Sequence, residues 1–160
     1  MDKMAGVLPL SEAESIALCI LEQATKGKIR LFIAPESLHI LLSLERTFAL
    51  HGISLFLDQM EVLYPGRYFK RWARRLRQMN FTREDAKVLS LATFGTDKAG
   101  EILSASVIVT FDQRLINKYA HEFAVIQGRF EAMMAGLEPP FCYARLPEMM
   151  LPQKALGLIQ

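Results

Sequence analysis

The sequence predicts an α/β fold with a mainly parallel sheet, and three observations predict it. Short runs rich in β-branched and aromatic residues, IRLFI at 29–33 and SVIVT at 106–110, are separated by stretches of helical periodicity. The runs are continuously apolar rather than alternating, the pattern of strands covered by helices on both faces. At 160 residues and 51% hydrophobic content, the chain can bury one substantial core, which predicts a single domain over 1–160.

The elements follow in order. Residues 11–25, SEAESIALCILEQAT, place Ile16, Ala17, Ile20, Leu21 and Ala24 on one stripe behind a capping Ser11. After the strand IRLFI, Pro35 opens a second helix over about 36–50 with Glu36 in its first turn, and ISLFL at 53–57 reads as another short strand. Pro65-Gly66 breaks the chain, and the next helix turns Phe69, Trp72, Leu76 and Met79 inward. Thr82 begins a helix reaching about Phe94, and Gly95 to Gly100 form a loop before SVIVT. Asp112 starts a helix through Tyr119, while 121–136 fits either state. FCYARL at 141–146 reads as a late strand, followed by a Pro-flanked tail from about 147.

Several classes are excluded early. Cys19 and Cys142 are too few for a disulfide scaffold or a zinc site, and they suit a reducing cytoplasm. Acidic residues near the N-terminus argue against a signal peptide, and no apolar run approaches the roughly 20 residues of a bilayer span. The net charge of +2 is uninformative as a total, so its distribution carries the information.

That distribution is uneven. Arg67, Lys70, Arg71, Arg74 and Arg75 crowd one helix with no acid interleaved, which suits a face that contacts the phosphates of RNA or DNA. In a parallel α/β unit, the helix feeding a strand begins at the strand's C-terminal edge, where ligands gather. That topology puts Asp85, in the first turn of its helix, and Asp112, just past SVIVT, on one edge. Asp97 and Glu101 fall at the opposite pole. Each of the two acids also suits helix capping, but two neighbouring carboxylates prefer a shared cation such as Mg²⁺ or Mn²⁺.

The pairing of EDAKVLSLA with VIVTFDQRL, preceded by a helix, the strand IRLFI and a Pro-Glu-initiated helix, resembles the PIN-domain family, which includes VapC-type toxin ribonucleases. The resemblance spans about residues 12–120, and FCYARLPEMML is similar to the family's last strand and the turn after it. It implies a three-layer α/β/α sandwich and Mg²⁺- or Mn²⁺-dependent endoribonuclease activity from a cluster of acids. Asp85 and Asp112 match two of those acids, Thr110 matches the hydroxyl before the second, and Asp2 is the nearest residue to the family's opening Asp. Ile40 stands where the family has a Glu, with Glu36 one turn earlier as its substitute ligand.

The resemblance further implies an RNA target, an antitoxin partner as in toxin–antitoxin pairs, and a homodimer. The alternative, which Ile40 favours, is a catalytically degenerate PIN-like module that binds nucleic acid or a protein without cutting.

Overall fold

Ser11 opens the first helix of the computed structural model, which describes residues 11–48, 57–101 and 104–160. The Ser11 hydroxyl accepts from the Glu14 N–H at 3.2 Å, and the Glu14 carboxylate accepts from the Ser11 N–H at 2.7 Å, a complete capping box. That backbone bond holds the Glu14 carboxyl below its ordinary range. The helix, α1 (Glu12–Thr25), buries Ile20 and Gln23 and leaves Ile16, Ala17, Leu21 and Ala24 half-buried.

Strand β1 (Leu31–Ile33) pairs in parallel with β2 (Met60–Val62), Leu31 opposite Met60, and helix α2 (Pro35–Phe48) lies between them in the chain. A parallel pair needs such a crossover, so this is a βαβ unit. The strand expected at ISLFL, 53–57, lies outside the described residues except for Leu57, which is helical, and β1's partner lies further along at β2. Arg30 fixes this register across the pair: its guanidinium bonds Glu61 and lies over the Phe32 ring at 5.2 Å.

Two short strands, β3 (Tyr64–Pro65) and β4 (Gly95–Thr96), pair antiparallel, so the loop expected from Gly95 begins with a bridge. A Cβ at Gly66 would meet the Phe94 carbonyl, and one at Gly95 the Leu91 carbonyl and the Leu63 side chain. Glycine therefore lets this pair sit directly on the end of the preceding helix.

Helices α3 (Phe69–Gln78) and α4 (Arg83–Phe94) form an antiparallel hairpin, since Ser90 near the end of α4 donates to the Phe69 carbonyl at the start of α3, at 2.6 Å. Asn80 makes the turn in a left-handed conformation, φ 62°. The inward stripe is as expected: Trp72, Leu76 and Met79 are buried and Phe69 is half-buried. Trp72 packs edge-on against Phe130 and Phe94, ring centroids 5.6 and 6.5 Å away. This aromatic cluster is the centre of the core.

Strand β5 (Val107–Val109) pairs in parallel with β6 (Glu148–Met150), and α5 (Gln113–Met134) crosses over between them. The stretch that fits either state is thus helical as far as Met134, with Ile126, Phe130 and Met133 on the buried side. The expected strand FCYARL is instead a 3₁₀ turn, Phe141–Tyr143, whose amides bond back to the Glu138 and Pro140 carbonyls. Those local bonds satisfy the backbone, and pairing begins seven residues later. What looked like a tail holds β6 and then α6 (Pro152–Ile159), which packs on α1. Tyr119 anchors the approach to β6 by donating to the Pro147 carbonyl at 2.7 Å, and burial pushes its phenol upward in pKa.

Among the described residues the fold is mixed α/β, with 59% helix and short parallel strand pairs. Cover on both faces of the sheet does not hold at β5, where Val107 and Val109 are 38% and 41% exposed while Ile108 points inward.

Candidate functional site

The starts of α4 and α5 are tied to each other. Lys118, in the second turn of α5, donates to the Asn80 carbonyl in the α3–α4 turn and lies over the Phe81 ring at 4.7 Å. Asp85 stands in the first turn of α4 and Asp112 caps α5.

Their local chemistry differs. The Thr82 hydroxyl caps α4 by accepting from the Asp85 N–H at 3.1 Å, and among the described residues no reciprocal bond from Asp85 completes a capping box. Asp85 is half-buried, and among the described residues its carboxylate makes no ion pair. Asp112 is committed on one oxygen, its Oδ1 accepting from the Leu115 N–H at 3.1 Å. Thr110 Oγ1 in turn accepts from the Asp112 N–H at 3.1 Å, so the hydroxyl organises the turn that presents the acid.

Glu36 reaches the same region through a cation. Lys87 on α4 lies 3.9 Å from Glu36 and 3.8 Å from Glu84, bridging the starts of α2 and α4 over a cleft of about 120 Å³ floored by Pro35, Phe69 and Leu91. The Glu36 side chain is 67% exposed, and the lysine already offsets its charge. Ile40, one turn further on, is 58% exposed. Asp2 lies outside the described residues.

A divalent cation with hard oxygen ligands fits this donor set in part. Asp85 offers both oxygens and Asp112 one, yet among the described residues no three His, Cys, Asp or Glu side chains gather around one point.

The basic face is built more fully. Lys70, Arg71 and Arg74 are exposed, Arg75 is half-buried, and Arg67 lies over the Tyr68 ring at 5.5 Å. None of the five makes an ion pair among the described residues. The amphipathic pattern explains the segregation: with Trp72 and Leu76 fully buried, the remaining angular range of α3 must face solvent. At the C-terminal end this face curves into an open depression of about 600 Å³ lined by Arg74, Arg77, Gln78, Asn80, Phe81 and Arg83.

Arg83, Lys118 and Arg129 join this face from outside α3, so the periodicity of that helix does not reveal them. Arg83 lies beyond the helix break at Asn80, and the other two come from α5, where Arg129 reaches Gln78 Oε1 at 3.5 Å. Only the turn at Asn80 could have signalled that Arg83 folds back toward Arg77.

Among the described residues no helix is long and apolar enough to cross a membrane. No protein-family model, curated protein or solved structure matches this chain.

Proposed function

We propose that the chain is a PIN-like nucleic-acid-binding protein, its strand pairs belonging to a three-layer α/β/α arrangement, with RNA as the preferred ligand. The observation that carries this reading is the uncompensated cationic face of α3, Lys70, Arg71, Arg74 and Arg75, preceded by Arg67 in the turn before the helix and continued by Arg77 and Arg83. Unpaired guanidinium groups on one rigid helix suit phosphates, because each fork donates two parallel hydrogen bonds to oxyanion oxygens. Sequence preference would be low, since phosphate contacts position a strand without reading its bases. Trp72 takes no part as a stacking surface, being fully buried.

A second reading has its own support in Lys118 of α5, which donates to the Asn80 carbonyl just ahead of α4. In it, the bound strand is cut at Asp85 and Asp112 with Mg²⁺ or Mn²⁺, which would polarise the phosphate and supply a nucleophile from water. This chain's own residues would contribute the two carboxylates, Thr110 to shape the Asp112 turn, and Glu36 once released by Lys87. A toxin role, with an antitoxin partner and a homodimer, belongs to this second reading.

One experiment separates the two. Single-stranded RNA incubated with Mn²⁺ should stay intact under the binding reading while its mobility shifts. Cleavage that needs Mn²⁺ and falls at least about 100-fold in both Asp85→Asn and Asp112→Asn would establish the nuclease instead.

A further inference from the structure

We infer that the depression at the α3–α4 turn is a discrete phosphate-binding site, formed by Arg74, Arg77 and Arg83 and reinforced by Lys118 and Arg129. The inference deepens the nucleic-acid reading and rests on it for the source of the phosphate. Three guanidinium groups from two helices line one open cavity, and no carboxylate is among its lining residues. Two further cations arrive at its edges from α5: Lys118 is held on the Asn80 carbonyl and the Phe81 ring, and Arg129 on Gln78 Oε1.

The nearby acids do not neutralise this cluster. Glu84 faces Lys87 at 3.8 Å, and neither Asp85 nor Glu122 makes an ion pair among the described residues. Arg83 is doubly uncompensated, because it also sits in the first turn of α4, where the helix dipole disfavours a cation. Cations gathered this closely repel one another, and an incoming dianion or phosphodiester relieves the repulsion.

The Asn80 turn explains how the site is assembled. Its left-handed backbone reverses the chain, bringing Arg83 back toward Arg77. The Asn80 carbonyl is taken by Lys118, so the turn is pinned from α5 rather than left to solvent. The ligand class is a phosphate group. Its source is either a backbone phosphodiester or the terminal monoester of a strand, and the chemistry of the site is the same for both.

The test compares the full chain with Arg77→Gln/Arg83→Gln, which removes two cations from the cavity, and with Lys70→Gln/Arg71→Gln, which removes two from the face outside it. Titration with pyrophosphate, followed by calorimetry, should show one site in the wild type and in Lys70→Gln/Arg71→Gln, and at least about tenfold weaker binding in Arg77→Gln/Arg83→Gln. Circular dichroism and thermal unfolding check that both variants stay folded. A 10-nucleotide RNA carrying a 5′-phosphate is then compared with its 5′-hydroxyl counterpart. A preference for the phosphorylated strand that disappears in Arg77→Gln/Arg83→Gln assigns the site to a terminal monoester. Equal binding of both strands, lost to the same extent in that variant, assigns it to the backbone. Pyrophosphate binding without RNA binding overturns the nucleic-acid reading and leaves the phosphate site standing. Equal loss of pyrophosphate affinity in both double variants, or in neither, overturns the site itself.

Discussion

Reversing two charges on α3, in Arg71→Glu/Arg74→Glu, is expected to weaken binding to single-stranded RNA by at least about 100-fold at low salt. The size follows from counterion release. Each neutralised phosphate contributes a salt slope of about −0.7 on a single strand, and the double reversal removes two such contacts and adds two repulsive ones. Both side chains are exposed and without ion-pair partners among the described residues, so the substitutions should leave the fold intact. Fluorescence anisotropy with a labelled RNA reads the change, and thermal unfolding supplies the control. Affinity within about threefold of wild type would mean that α3 is simply a solvated face.

The largest expected effect on stability is at Trp72. It is fully buried, packs against Phe94 and Phe130, and joins α3 and α4 to α5. Trp72→Ala should cost about 3–5 kcal/mol through lost burial and an unfilled cavity, a large share of the roughly 5–15 kcal/mol that holds a domain folded. Among the described residues the indole Nε1 of Trp72 has no hydrogen-bond partner. Phenylalanine removes that unpaired donor while keeping a ring in the cluster, so Trp72→Phe should cost less than half as much. Chemical denaturation of the two variants gives the comparison, and equal costs would show that the aromatic packing described here is not what holds the helices together.

How far the sequence spoke depends on the kind of signal. Helices were legible because a 3.6-residue period persists over many residues: the inward set Trp72, Leu76 and Met79 on α3 is the buried set. Caps were equally legible at Ser11, Thr82 and Asp112, where a short polar side chain stands just before an apolar stripe. The described strands are only two or three residues long, too short for any period to register, so β2 and β6 are not legible and FCYARL looks like a strand without being one. Local bonds to the Glu138 and Pro140 carbonyls decided that stretch, and nothing in its apolar character reveals them.

The candidate site divides along the same line. Asp85 and Asp112 were legible as helix-start acids, one in the first turn of α4 and the other the cap of α5, because short polar side chains just before or at the start of an apolar stripe mark a helix N-terminus. The basic depression was not, since Arg83, Lys118 and Arg129 join Arg74 and Arg77 through a left-handed turn and a crossover helix. Glu36 illustrates the reverse case. Its position in the first turn of α2 was legible, but its pairing with Lys87 depends on how α2 packs against α4.

The most direct measurement is the salt dependence of RNA binding by the unaltered protein. If the face from Arg67 to Arg83 holds a strand through four or five phosphates, the logarithm of the association constant should fall with the logarithm of salt concentration at a slope of about −3. A slope near zero, or no binding at about 50 mM salt, would contradict the account.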